Sequence, residues 1–133
     1  MTNEPAGVVA EVLAATDALI ADFGASRMQE YFARLAPEAS FLFHTTDHRL
    51  ESRAAYRAAW DQWVAEDGFR VLGCSSSNRV VHPLGADAAV FAHDVATHVS
   101  TRSGEEHLRE RETIVFARRD GAWLVVHEHL SSP

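Results

Sequence analysis

Lysine is absent from the 133-residue chain, and cysteine occurs only once, at Cys74. Without lysine the protein cannot form a Schiff base with a substrate, and it cannot build a phosphate-binding P-loop, whose motif contains a lysine. A single cysteine excludes an internal disulfide and a zinc site made from paired thiolates. We interpret Cys74 as a small, buried side chain rather than a nucleophile.

Long apolar runs and clustered basic charge are also missing. No segment approaches the roughly 20 apolar residues of a membrane span, and the N-terminal residues lack the pattern of a signal peptide. The formal net charge is -7, and the 12 basic residues are scattered along the chain, whereas nucleic-acid binding needs a basic cluster. We therefore expect a cytoplasmic protein with no membrane or nucleic-acid partner.

The chain has the size and composition of one domain. Hydrophobic residues make up 47% of it, and a chain of this length buries enough surface for a core without disulfides or structural metal. No internal repeat or flexible linker divides it. We predict a single domain over residues 1–133.

The first half of the chain has helical periodicity. Apolar residues at helical spacing predict a helix that ends at Gly24. Ser26 and Gln29 have the spacing of a capping box and predict a second helix, which Pro37 closes. Ser52 is predicted to cap a third helix.

The rest of the chain has the two-residue period of β-strands. A short strand is predicted at Phe41–Phe43, and four long strands are predicted at 69–81, 88–100, 106–118 and 122–130. Short turns join the long strands into an antiparallel meander. The fold class is therefore α+β, with three helices covering one face of a curved sheet.

The turns of this meander predict which residues pair. An Asp120–Gly121 turn places Glu112 opposite His129 and Ile114 opposite His127. A weaker turn signal at 103–104 places His93 beside Ile114. One face of the sheet then carries large apolar groups and a polar end. Its members are Phe91, His93, Val95, Thr97, Glu112, Ile114, Phe116, Trp123, Val125, His127 and His129.

The other face retains apolar residues that water would not stabilise. They are Val90, Val115, Leu124, Val126 and Leu130. An apolar patch on a sheet marks an interface, so we predict a homodimer formed through this face.

The order of the elements and the C-terminal motifs resemble a known family. The motifs are Arg111–Thr113, Arg118–Gly121, Trp123 and His127–Ser131. They are similar to the SnoaL-like branch of the nuclear transport factor 2-like (NTF2-like) superfamily, and also to the association domain of calmodulin-dependent kinase II. The resemblance implies a cone-shaped sheet around a helix-covered pocket, usually dimerised through its outer face. That superfamily contains polyketide cyclases, isomerases and dehydratases, but also non-catalytic pocket proteins and oligomerisation modules, so the fold does not select a reaction.

The polar end of the predicted pocket supplies candidate catalytic residues. The His-x-His segment, His127 and His129, is expected to face Glu112, and His44 is the fourth candidate. A carboxylate beside an imidazole fixes its tautomer and raises its basicity, which suits acid–base catalysis near neutral pH. The alternative is structural, with the pair only satisfying buried polar groups.

Apolar and aromatic side chains are predicted to form the ligand-binding wall. The third helix contributes Tyr56, Trp60 and Trp63 on one side. The predicted wall is completed by Phe41, His93 and Ile114.

Two further hypotheses concern the polar residues. The His-x-His segment could chelate a metal if His93 or His44 converged on it, but we expect no metal and no cofactor, as the resemblance implies. Arg111 is predicted to face outward, and only a register slip would bring it into the pocket to bind a carboxylate ligand.

The predicted function is that of a small-molecule pocket protein. Its catalytic form would be a cofactor-free cyclase, isomerase or lyase acting on an apolar organic substrate. The alternative is a non-catalytic ligand-binding or dimerisation module, and the sequence does not decide between them.

Overall fold

A computed structural model describes residues 4–133. The described helices and strands, in chain order, are α1 (Glu4–Gly24), α2 (Met28–Ala33), β1 (Leu35–Phe43), α3 (Arg53–Asp67), β2 (Arg70–Pro83), β3 (Ala88–Thr101), β4 (Gly104–Arg119) and β5 (Ala122–Ser131). The strands form one curved, mixed sheet in the order β1-β5-β4-β3-β2. The predicted α+β class and the four-stranded meander are confirmed.

The ends of α1 and α3 follow the predicted signals. The Ser52 side chain accepts a hydrogen bond from the Ala55 backbone N–H at 3.0 Å, and Gly68 ends α3 with φ +64°. At the end of α1, a Cβ on Gly24 would lie 3.0 Å from the backbone nitrogen of Cys74. Glycine is therefore what lets α1 lie close against β2.

The second helix and first strand differ from the prediction. Ser26 does not cap α2, because it has a left-handed backbone (φ +58°) and its hydroxyl donates to the Val71 carbonyl of β2. Pro37 does not close α2 either, since the Arg34 carbonyl already accepts a hydrogen bond from the Val125 N–H of β5. The chain therefore joins the sheet early, and β1 is longer than predicted and runs parallel to β5.

The sheet has an inner face, which packs against the helices, and an outer face on its other side. The β3–β4 pairing is shifted by two residues from the prediction, so that His93 pairs with Glu112 and Phe91 with Ile114. A shift of two residues preserves the faces of both strands, because side chains alternate with a period of two. The predicted inner face of β3 and β4 is therefore correct.

A β-bulge in β5 changes the predicted faces of that strand. Phe116 pairs with Val125, which is the partner that the Asp120–Gly121 turn gives it, whereas the next pair is Val115 with His127. Val126 is the extra residue, and every residue after it lies on the opposite face from the one that unbroken alternation would give.

The bulge overturns the predicted pairing at the C-terminal end of β5. Glu112 pairs with Leu130, and Ile114 pairs with Glu128. Glu128 and Leu130 therefore lie on the inner face, and the His-x-His segment lies on the outer face.

The core lies between the inner face and the helices. Its fully buried large residues include Phe91 and Phe116 from the sheet and Val12 from α1. Trp123 faces the helices as predicted, since its Nε1–H donates to Glu11 of α1 at 2.8 Å. Among residues 4–133, no helix is long and apolar enough to cross a membrane.

Candidate functional site

A cavity of about 250 Å³ lies between the inner face and all three helices. Aromatic rings form most of one side of it, which we call the aromatic wall. They are Phe23, Tyr31, Phe43, Tyr56, Trp60, Trp63 and Phe69. A cavity of this volume falls just below the range of about 300–1,000 Å³ usual for ligand pockets, which fits a small ligand.

Helix α3 supplies the predicted part of this wall. Tyr56, Trp60 and Trp63 follow helical spacing, so they point to the same side. The ring centroids are 6.1 Å apart for Tyr56 and Trp60 and 6.0 Å apart for Trp60 and Trp63. The structure places these three side chains on the surface of the cavity.

Three carboxyl groups line the side of the cavity formed by the sheet. Glu110 and Glu112 are alternate residues of β4 and so share the inner face, and Glu128 comes from the neighbouring strand β5. Glu112 is the one member of this group that was predicted. Glu128 was missed because its position depends on the bulge.

Glu112 is held by a hydrogen-bonded chain that ends outside the cavity. His93 lies on the paired position of β3, and its Nε2–H donates to Glu112 Oε1 at 2.8 Å. The other ring nitrogen, Nδ1, accepts a hydrogen bond from the Ser76 hydroxyl at 2.6 Å. His93 is buried and does not line the cavity as predicted; it orients the carboxyl group that does.

Glu110 has a different imidazole partner. His44, just beyond the end of β1, lies with its Nε2 2.6 Å from Glu110 Oε2. The His44 side chain is 36% exposed and does not line the cavity. His44 was predicted to be catalytic, and the structure places it next to the cavity, behind a carboxyl group.

Glu128 is buried without a partner. The residue is 2% exposed, and its carboxyl group makes no hydrogen bond to residues 4–133. Burial raises the pKa of Glu128 well above its usual range, and the nearby charge of Glu112 raises it further. Burial therefore favours the protonated carboxylic acid form of Glu128, which lines the cavity.

Two tyrosine hydroxyls complete the polar part of the cavity. The Tyr31 and Tyr56 oxygens lie 3.1 Å apart. Burial raises the pKa of both phenols well above 10, and the nearby charge of Glu128 adds to this. Both groups stay neutral and serve as hydrogen-bond donors or acceptors for a ligand.

Cys74 lines the same cavity as a neutral thiol. Burial raises its pKa to about 11, while a hydrogen bond with Thr97 opposes this in part. A thiol with this pKa is a poor nucleophile at neutral pH. The expected role of Cys74 as a packing residue agrees with this environment.

The His-x-His segment lies away from the cavity, contrary to the predicted geometry. His127 contacts Ser40 at 2.8 Å, and burial together with the neighbouring His129 lowers the pKa of His127. His129 is exposed on the outer face. The physical cause is the bulge at Val126, which inverts the faces of the residues that follow it.

The remaining residues that were considered for the site lie in different parts of the structure. Phe41 and Ile114 are fully buried in the core beneath the cavity and do not line it. Arg111 is exposed on the outer face, as predicted, and lies opposite Asp94 in the β3–β4 register. Within residues 4–133 no group of three or more potential ligands converges on a metal site, and His44 and His93 do not meet the His-x-His segment.

The sequence held little signal for the missed carboxyl group. In an unbroken strand the apolar Leu130 would face outward beside Leu124 and Val126, so alternation alone gives no reason to place a bulge in this run. A change of face within Leu124–Val126 brings Leu130 inward, together with Glu128.

Comparison with known proteins gives a local sequence match to a kinase. Calcium/calmodulin-dependent protein kinase type II of Caenorhabditis briggsae is 41% identical over 56 residues, which are 41% of this chain and 10% of the kinase. The match thus spans about a tenth of that protein.

Solved structures resemble the whole fold. The association domain of CaMKII from C. elegans has a TM-score of 0.75 at 19% identity, over 98% of this chain and 100% of that one. A protein from Catenulispora acidiphila, solved in complex with S-DNPA, has a TM-score of 0.76 at 13% identity, over 94% of this chain and 92% of that one. The SnoaL-like domain model matches residues 12–133. The chain therefore belongs to the SnoaL-like domain family, within the NTF2-like superfamily.

Proposed function

We propose that the protein binds a small, mainly apolar organic molecule in the cavity and catalyses a proton transfer within it. The observation that carries this proposal is Glu128, a buried and unpartnered carboxylic acid at the edge of an aromatic-walled cavity. Buried polar groups are nearly always satisfied, so a group left open towards a cavity fits a ligand that completes it. The structural relative with bound S-DNPA supports a ligand-binding role.

The two carboxyl groups of this mechanism have different tasks. Glu128 meets the polar atom of the ligand, donating its O–H to a carbonyl or hydroxyl oxygen. Glu112 removes a proton from the adjacent carbon, because its contact with His93 fixes its position beside the cavity. Two groups whose environments differ in this way form an acid and a base at the same pH.

The reaction needs no cofactor. A base and a hydrogen-bond donor together permit enolisation, and hence isomerisation, elimination of water or aldol-type ring closure. The proposal replaces the predicted His129/Glu112 pair with Glu128/Glu112, and leaves His93 as a positioning residue. His127 and His129 have no part in it.

Ligand binding and proton transfer are tested together with a small aromatic ketone, 2-tetralone. Its binding is followed by the fluorescence of Trp60 and Trp63, and the exchange of its α-protons in D₂O is followed by NMR. We expect Glu112→Gln to slow enzyme-dependent exchange by about a hundredfold or more, the usual contribution of a general base. A bulkier residue in the cavity, Thr97→Phe, should abolish binding.

The matched controls are His127→Ala and His129→Ala on the outer face. Both should bind 2-tetralone and exchange its protons like the unmodified protein. If no ketone binds, or if exchange survives in Glu112→Gln and fails in His129→Ala, the proposed function is wrong.

A second candidate function is self-association through the outer face. Leu42 and Val80 are 39% and 43% exposed there, and Val90, Val115 and Leu124 are partly exposed. We propose that a second copy of the chain covers these residues as a homodimer. The similarity to an association domain supports this proposal.

A further inference from the structure

Among the described residues, the titratable groups that line the cavity are all acids, which are either neutral or negative. Among residues 4–133, the titratable groups that line it are three carboxyls, two phenols and one thiol, and no arginine or histidine lines it. The phenols and the thiol are neutral at pH 7 because burial raises their pKa. An anionic ligand would therefore meet only neutral or negative groups.

The carboxyl groups differ in whether an imidazole contacts them. Glu112 contacts His93 at 2.8 Å, and Glu110 contacts His44 at 2.6 Å. Glu128 has no such contact with any described residue, although it is buried. Glu128 is therefore the carboxyl group of this cavity that is left for a positive group of a ligand to pair with.

The surroundings of Glu128 also suit a cation. Tyr31 and Tyr56 lie near enough for its charge to raise their pKa, and the Tyr56 ring centroid lies 6.1 Å from that of Trp60. The faces of such rings attract alkylammonium groups, and this attraction is largest where water is excluded. Aromatic rings and a carboxyl group that line one cavity form a combination that suits an organic cation.

We propose that the ligand of this cavity is an apolar organic cation, a tertiary or quaternary amine whose positive nitrogen lies against Glu128 and the tyrosine rings. The inference rests on the proposed ligand-binding function and names the charge class of the ligand. The ammonium group takes the place of the Glu128 proton, so Glu128 pairs with this ligand as a carboxylate and does not donate an O–H to it. Glu112 keeps its role as the base.

The proton balance of binding follows directly. Burial favours the protonated carboxyl of Glu128 in the free protein, and a quaternary ammonium has no N–H proton of its own. On binding, the carboxyl O–H bond breaks, the carboxylate pairs with the cation, and the proton passes to solvent. The groups around Glu128 are Glu112 on β4, Tyr31 on α2 and Tyr56 on α3. Binding should therefore strengthen as the pH rises through the range in which free Glu128 is protonated.

Three probes of similar size test the charge class. They are benzyltrimethylammonium, its uncharged carbon isostere neopentylbenzene, and the anion phenylacetate. We expect the cation to bind at least about tenfold more tightly than the isostere, measured by tryptophan fluorescence, and phenylacetate not to bind. Calorimetry in phosphate and in Tris, which differ in ionisation enthalpy, should show that about one proton is released per bound cation.

The variant Glu128→Gln keeps the shape of the protonated side chain and removes its ability to ionise. It should weaken cation binding about tenfold or more, leave neopentylbenzene binding within about twofold, and abolish proton release. Glu106→Gln, an exposed position on the same strand as Glu112, is the matched control and should behave like the unmodified protein. The number of protons released on cation binding is measured on the unmodified protein, so it tests the inferred ligand class even if Glu128→Gln folds poorly.

The outcomes separate the two proposals. Equal binding of the cation and the isostere, or cation binding without proton release, overturns the inferred ligand class. The proposed function is then still tested by the 2-tetralone experiment. Failure of all three probes and of 2-tetralone overturns both.

Discussion

At the scale of single residues, Glu128 is a carboxyl group removed from water. Burial and the charge of Glu112 act on it in the same direction, and both raise its pKa. The residue next to it in sequence, His127, is affected by burial on the other side of the sheet, and its pKa is lowered. Adjacent residues of one strand thus experience separate environments, because they project from opposite faces.

Glu128 makes the stability of the protein depend on pH. The folded-state pKa is raised, so the folded protein keeps a proton that the unfolded chain loses, and stability must fall as the pH rises from the ordinary range of glutamate. Glu128→Gln lacks this loss. Its free energy of unfolding relative to the unmodified protein should increase with pH by up to about 1.4 kcal/mol per pH unit, measured by urea unfolding between pH 4 and 8.

Glu106→Gln provides the comparison for this measurement. Its free energy of unfolding should differ from that of the unmodified protein by an amount that does not grow with pH. A constant difference for Glu128→Gln as well would contradict the buried, protonated state assigned to Glu128.

At the scale of elements, local sequence signals predicted a helix end correctly where the capping contacts lie within the helix itself. Ser52 caps the first turn of α3, as expected, and Gly68 ends its last turn. Ser26 and Pro37 have equally good local patterns, but contacts with β2 and β5 decide their conformations. Tertiary contacts override local preference at these two positions.

The cap of α3 should contribute measurably to stability. Ser52→Ala removes the acceptor for the Ala55 N–H and should lower the free energy of unfolding by about 1 kcal/mol. The same measurement on Ser75→Ala, an exposed serine of β2, should show a change of less than about 0.5 kcal/mol. Equal effects of the two substitutions would show that the Ser52 side chain does not cap the helix.

At the scale of the whole molecule, the two faces of the sheet have separate tasks. The inner face builds the core and the cavity, and the outer face presents apolar side chains that no described residue covers. The bulge moves Leu130 from the outer face to the cavity, so the patch is smaller than predicted. Val115, on the central strand, remains within it.

The homodimer is tested by placing a charge in this patch. The unmodified protein should sediment as a dimer at micromolar concentration, and Val115→Glu should sediment as a monomer, because the new carboxylate would be buried without a partner. Val64→Glu, which adds the same charge at an exposed site on α3, should remain dimeric. A monomeric unmodified protein would contradict the proposed interface.

The sequence by itself determined the elements, the hairpins and the aromatic side of the cavity. Periodicity and turn residues are local, and they predicted the order of helices and strands, while helical spacing brought Tyr56, Trp60 and Trp63 together. The inner positions of His93 and Glu112 followed as well, because a register error of two residues preserves the face.

Only the tertiary structure decided which end of β5 faces the cavity. A bulge adds a single residue and costs little locally, so it leaves only a weak signal in the sequence. Its effect on the site is large, because it exchanges two histidines for a carboxyl group and an apolar side chain. In the bulged strand, which pairs with β1 on one side and β4 on the other, Glu128 and Leu130 line the cavity. The candidate chemistry of the cavity therefore depends on carboxyl groups and not on imidazoles.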